Sequence, residues 1–147
     1  MIDDIDRQIL GALERNGRST WRDLGDAVGL SPNATAERVR RLEDRGVIVG
    51  YTALLDPAAA GRGLVALVDV RLAAPGDAGR FEALVHELPE ITDAAHVTGR
   101  SDYHLRIACA GPPALDALIR RLKTDGGVIE TDTRIALRTL TPLPVAR

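Results

Sequence analysis

The spacing of apolar residues predicts an α+β chain in two parts, a head of three helices and a second half in which strands and helices alternate. Three observations carry this. Helix-start and helix-stop residues crowd the stretch before Gly46, apolar residues there recur every three or four positions, and from Leu64 onward a strand-helix-strand pattern occurs twice. A chain of 147 residues can bury one good core or two small ones, and the break near Gly46 favours two. The expected boundaries are 1–50 for the head, 51–63 for a connector and 64–147 for the second domain.

The head is marked element by element. Asp3 or Asp4 can cap a first helix whose Ile5, Ile9 and Leu13 fall on one side. After the Asn16-Gly17 break, Thr20 and Asp23 form a reciprocal capping pair for a second helix carrying Leu24, Ala27 and Val28. Gly29 can take the left-handed conformation that ends it, and Leu30 can fill the angle before the next helix. Ser31 is a good N-cap, and Pro32 stands where a missing N–H costs nothing. Two short helices joined by a tight turn outline a winged/helix-turn-helix head.

Spacing divides the third helix into faces. Thr35, Val39 and Leu42 stack at i, i+4 and i+7 as an inward stripe, while Ala34, Arg38, Arg41 and Arg45 line another expected to face a ligand. Arginine donates in a fork to phosphate or to the guanine O6/N7 edge, so this row suits the major groove of double-stranded DNA. Asn33 and Glu37 on the flank suit adenine and cytosine. Ser31, Thr20 and Trp21 complete the candidate set, with Trp21 chiefly a packing residue. The competing reading is a solvated face whose arginines pair with Glu37, Glu43 and Asp44. The preceding helix, turn and cap weigh against it.

Charge and composition restrict the partners. Asp and Glu (21) outnumber Lys and Arg (19), for a net charge of -2, which excludes a blanket polyanion binder. DNA binding would have to come from local charge placement and from more than one copy of the chain. No apolar run approaches the roughly 18 residues a membrane helix needs, and the start Met1-Ile2-Asp3-Asp4 is acidic, unlike a secretory leader. A cytoplasmic protein with no membrane partner is the expectation. Cys109 is the one cysteine, which rules out an internal disulfide and suits a small buried apolar role. His86, His96 and His104 lack the spacing of a helical metal site, so no metal is expected.

Beyond Gly46, residues 47–55 read as a short strand or extended connector, closed by Asp56-Pro57, Gly61 and Gly63. Leu64 to Leu72 reads as a strand, Phe81, Leu84, Val85 and Leu88 as a helical stripe, and Ile91 to Thr98 as a second strand. The order then repeats. Tyr103 to Cys109 alternates like a strand, Leu115, Leu118, Ile119 and Leu122 make a helical stripe, and Ile129 to Thr139 closes the unit. This βαββαβ order is that of a ferredoxin-like sandwich. Its sheet has helices on one face only, and the first strand carries apolar residues on both faces, so a homodimer through this domain is expected.

The Gly17-Arg18-Ser19-Thr20-Trp21 run, Val28-Gly29-Leu30-Ser31-Pro32, Arg38-Val39-Arg40-Arg41-Leu42-Glu43, Gly46-Val47-Ile48 and Gly50-Tyr51 together resemble the Lrp/AsnC family of transcriptional regulators. The resemblance covers essentially the whole chain. It implies a dimer, often assembled into an octamer, that binds a promoter site and responds to a small effector, commonly an amino acid, through a ferredoxin-like regulatory domain. No other cofactor is implied. The family's effector signature, a strand ending in Gly-x-x-Asp before an aromatic, is matched by Val97-Thr98-Gly99-Arg100-Ser101-Asp102-Tyr103. Gly99 would let backbone amides approach a carboxylate, and Asp102 would accept from an α-ammonium group. Arg100 and Ser101 lie between them, Tyr103 would wall the pocket, and His104 and Thr133 are further candidates.

Two departures from the family pattern stand out. Thr35 replaces a common buried valine and can bond a backbone carbonyl, and Glu37 replaces a frequent basic residue, which implies an unusual operator. Sirohaem decarboxylases are similar to the family in both domains. In that alternative His96, Tyr103, His104 and nearby arginines would hold a tetrapyrrole's carboxylates and supply a proton. The arginine row argues against it. A weakly specific architectural DNA-binding protein is a third reading.

Overall fold

A computed structural model of the chain describes residues 1–139, which divide in sequence between Leu54 and Leu55 into two compact units. In the first, α1 (Asp4–Arg15) is capped by Asp3, whose carboxylate accepts from the Asp6 amide at 2.8 Å while Asp6 accepts from the Asp3 amide at 3.2 Å. The same reciprocal pairing between Thr20 and Asp23 opens α2 (Trp21–Val28). Ser31 caps α3 (Pro32–Asp44) by accepting from the Ala34 amide at 3.2 Å, with Pro32 in the first turn.

These caps fix where each helix begins, and burial fixes how the three pack. Ile9, Leu24, Val39 and Leu42 are almost wholly buried, each contributing about 1.5–3 kcal/mol. Thr35 is buried with them, and its hydroxyl donates to the Ser31 carbonyl at 3.0 Å, so the valine-to-threonine departure leaves no orphaned polar atom. Gly25 sets the closeness of the α2/α3 turn. A Cβ on it would stand 2.5 Å from the Leu30 carbonyl oxygen, which is closer than any side chain tolerates. Residues 47–55 are connector rather than strand, pairing with none of the strands described.

The second unit contains β1 (Leu64–Leu72), α4 (Ala78–Glu87), β2 (Ile91–His96), β3 (Tyr103–Cys109), α5 (Pro112–Asp125) and β4 (Val128–Ile135), with a short 3₁₀ turn at Pro75–Asp77. The strands form one antiparallel sheet in the order β2-β3-β1-β4, the ferredoxin-like arrangement expected. Ala66, Val68, Val70 and Leu72 alternate inward, meeting Tyr103, Leu105, Ile107 and Cys109 of β3 and Phe81, Leu84, Leu115, Leu118 and Leu122 of the two helices.

Two strands end sooner than the pattern suggests. β2 stops at His96 because the Val97 amide turns to donate to the Asp102 carbonyl at 2.9 Å, closing the hairpin. β4 stops at Ile135, after which the Ala136 amide makes a last link to the Val65 carbonyl and Leu137 stands in the open. The helix-free face is apolar for only half of β1. Val65 and Leu67 give way to Asp69 and Arg71, which are tied across the sheet, Asp69 to His104 (2.6 Å) and Arg134 (2.5 Å), and Arg71 to Glu130 (2.9 Å). Among the described residues no helix is long and apolar enough to cross a membrane, and no His, Cys, Asp and Glu cluster is arranged to hold a metal.

Candidate functional site

With Thr35, Val39 and Leu42 turned inward, successive steps of about 100° place Asn33, Glu37, Arg40 and Asp44 on the opposite side of α3. All four are exposed, and Arg41 is exposed beside them. Ala34 is half-buried at the edge, while Ser31 and Thr20 are engaged as caps, the Thr20 hydroxyl also lying 2.7 Å from Asp23. Trp21 is 45% exposed at the start of α2.

The arginine row expected from the sequence divides here. Arg38 and Arg45 lie roughly 70–90° from the buried stripe, on the flank that meets α1. The Arg38 guanidinium sits 2.6 Å from Asp3 and 2.7 Å from Asp6, with its side chain 21% exposed, and Arg45 donates to the Met1 carbonyl at 3.1 Å. Arg38 is therefore committed inside the head rather than presented with Arg41. The α1 capping pair brings two carboxylates to one spot, and a guanidinium is the group that satisfies both. The Asp6 amide, and after it the Arg38 hydrogen bond, hold the Asp3 carboxyl below its usual range, and the two carboxylates push Arg38 further up. The candidate set left out Arg40, one of the arginines that mark this helix in the sequence, as well as Arg18 and Arg22; all three are exposed and make no ion pair among the described residues. For Arg40 the available signal was its position opposite the Thr35–Leu42 stripe.

The second candidate is the loop from Val97 to Tyr103. Gly99 has φ +117°, and nothing of the chain lies within 4 Å of where its Cβ would be. Asp102 is more constrained than expected. Its amide donates to the Val70 carbonyl at 2.8 Å and its Oδ2 accepts from the Leu72 amide at 2.7 Å, so its carboxylate extends the β1–β3 ladder one link past the Val70–Tyr103 pair. One oxygen thus serves the fold, and Oδ1 makes no hydrogen bond among the described residues. Tyr103 is 4% exposed, packed 4.6 Å from the Phe81 ring and stacked at 4.9 Å on His96. Its hydroxyl donates to Glu82 at 2.6 Å, and that bond, then burial, pushes its pKa to about 12.

Hollows flank this loop on two sides. One of about 400 Å³ is walled by Arg71, Ala74, Pro75, His96, Asp102 and Tyr103. The other, about 920 Å³ and more polar, is bordered by Asp69, Arg71, Arg100, Ser101, Glu130 and Asp132. Arg71, which the sequence did not single out, borders both.

His104 and Thr133 do not join the loop within one chain. His104 lies on the helix-free face against Asp69, whereas Thr133 pairs with inward-facing Val68 on the opposite face and is exposed. The same alternation separates His104 from His96 and Tyr103, so the three residues of the tetrapyrrole alternative do not converge.

Comparison with known proteins identifies the two domains in which these candidates lie. A model of the AsnC-type helix-turn-helix domain matches residues 2–43, and one of the Lrp/AsnC ligand binding domain matches residues 65–145. The HTH-type transcriptional regulator LrpA of Mycobacterium tuberculosis is 36% identical over 94% of this chain and 91% of its own length. The leucine-responsive regulatory protein of Escherichia coli K12 is 43% identical over 71% of this chain and 65% of its own length. Among solved structures, a feast or famine regulatory protein of M. tuberculosis complexed with L-methionine superposes with a TM-score of 0.86 at 35% identity, covering 95% of each chain. An L-Met complex of a transcriptional regulator from Neisseria meningitidis gives 0.88 at 31%, covering 95% of this chain and 92% of that one. A head with capped, tightly joined helices, a ferredoxin-like second unit, and these matches over nearly the whole length make the chain a member of the Lrp/AsnC family of transcriptional regulators.

Proposed function

We propose that this chain is a sequence-specific DNA-binding transcriptional regulator, acting by binding rather than catalysis in the cytoplasm, whose hold on DNA or assembly responds to an amino acid. The observation that carries the proposal is the outward face of α3, where Asn33, Glu37, Arg40 and Arg41 are exposed on a helix whose position is fixed by caps and by Gly25. Residues 1–50 read DNA, 51–63 connect, and 64–147 hold the effector and the dimer contact. The half-apolar, helix-free sheet face supports a homodimer, which sets two reading helices against successive major grooves and offsets the weak overall charge. Dimers stacked into octamers follow the family habit.

The effector seat is the Gly99–Tyr103 loop and the hollow beside it. Asp102 Oδ1 receives the α-ammonium group and Tyr103 walls the side chain. The bound L-methionine of two structural relatives supports an amino acid as the ligand class. Fluorescence anisotropy of the chain on its own upstream duplex and on an unrelated duplex, titrated in salt with a panel of amino acids, tests the whole reading. Tighter binding to the upstream duplex, altered by one amino acid, is the expected result. Equal weak binding to both would replace it with the non-specific architectural reading.

A further inference from the structure

The cations of α3 are not equivalent, and their division assigns the base-reading role. This inference rests on the proposed reading of the head as a DNA reader. We infer that Arg40, sharing one stripe with Asn33 and Glu37, is the specificity-determining arginine and contacts guanine, while Arg38 is a structural clamp that never reaches DNA.

Asn33, Glu37 and Arg40 stand at i, i+4 and i+7 on the side of α3 directly away from the core. They span about 10 Å of helix axis, close to three base steps at about 3.4 Å each. Each is exposed, and none makes a side-chain hydrogen bond or ion pair among the described residues, although Glu37 and Asp44 are within helical reach of Arg40. Their chemistries are complementary. A guanidinium forks onto guanine O6/N7, a carboxamide pairs with adenine N6/N7, and a carboxylate accepts from cytosine N4. Glu37 would be repelled by phosphates if unaccompanied, and Arg40 and Arg41, one turn on, offset that repulsion.

Arg38 cannot share the task. It lies on the flank facing α1 with its charge divided between Asp3 and Asp6, and withdrawing it would strand Asp6, whose side chain is 10% exposed. Arg45 is turned to the same flank by its bond to the Met1 carbonyl. Arg41, between the flank facing α1 and the outer stripe, is placed for phosphate rather than for base edges.

The test is selection of duplexes from a randomised pool by the full-length chain and by R40A, R40K and R38A, each also followed by thermal melting. The wild type is expected to select a consensus. R40A and R40K are expected to leave the melting temperature unchanged, to make one guanine position degenerate, and to bind the wild-type consensus more weakly by about 5- to 150-fold, the span for loss of a forked base contact. R40K, which keeps the charge but not the fork, retains the wild-type salt dependence. R38A is expected to melt lower and, once folded, to select the wild-type consensus. Retention of every consensus position by R40A overturns the inference, whether its binding is unchanged or uniformly weakened with a shallower salt dependence. Loss of the guanine preference in folded R38A overturns it too. A wild-type chain that selects no consensus overturns both this inference and the proposed function, and is told apart from the other outcomes by that result alone.

Discussion

The Arg38 guanidinium donates to Asp6 Oδ1 at 2.7 Å, joining the third helix to the first across 32 residues of sequence. Replacing Arg38 with alanine leaves a mostly buried carboxylate without its cation, at a cost of about 1–3 kcal/mol to the head. Urea unfolding followed by fluorescence of Trp21, the one tryptophan and a resident of this unit, measures that loss. A double-mutant cycle with Asp6→Asn is expected to show strong coupling, because each change removes one charge of the same ion pair.

Acid should weaken the same corner. The folded chain holds the Asp3 carboxyl below its ordinary value of 3.8, first through the Asp6 amide and then through Arg38. A depressed folded pKa gives stability that is present above the unfolded value and is lost as pH falls through the folded one. The Trp21 unfolding midpoint should therefore fall as pH drops below about 4, and Asp3→Asn should flatten that dependence.

Asp102 offers a way to separate structure from ligand. Asp102→Ala deprives the Leu72 amide of its acceptor and is expected to cost about 1–2 kcal/mol as well as any effector response. Asp102→Asn keeps a carbonyl oxygen for that amide but has no charge to hold an ammonium group. It should melt near the wild type while effector affinity, followed by isothermal titration, drops.

Alkali should act on the second unit through Tyr103. Its hydrogen bond to Glu82, with burial, raises its pKa from 10 to about 12, so stability is full below pH 10 and drains away between pH 10 and about 12. Circular dichroism melts across that window are expected to show the loss, and Tyr103→Phe should reduce it, leaving the part due to Tyr51, which burial and then Glu43 also raise to about 12.

Gly25→Ala forces a Cβ toward the Leu30 carbonyl, at 2.5 Å in the present backbone, so the α2/α3 turn must open. A destabilisation of about 1–3 kcal/mol in urea unfolding is expected.

What the sequence reveals here depends on range. The Thr20–Asp23 pair, the Ser31 cap and the full extent of β1 are readable because each is decided by residues within a few positions or by strict alternation. The commitment of Arg38 is invisible locally, since its partners lie more than thirty positions away at the cap of another helix. The Gly99–Tyr103 loop is recognisable as a motif, but the use of Asp102 as a ladder extension requires knowing that Leu72 lies beside it. His104 and Thr133 illustrate the role of register. Sequence places both on strands of the right domain, and only the pairing of β3 and β4 with β1 shows that they face opposite ways. Gly25 looks like an unremarkable helical glycine until the following turn folds back over it.

Because α3 secures the head with one flank and presents its chemistry on another, the two can change independently over generations. A duplicated gene that alters Asn33, Glu37 or Arg40 disturbs none of the hydrogen bonds or ion pairs described for the head, so a lineage can move from one operator to another through a series of folded intermediates. Drift at Arg38 offers no such path, since the first step already strands Asp6. New targets are thus expected to arise along the outer stripe of this helix, with the clamp beneath it inherited unchanged.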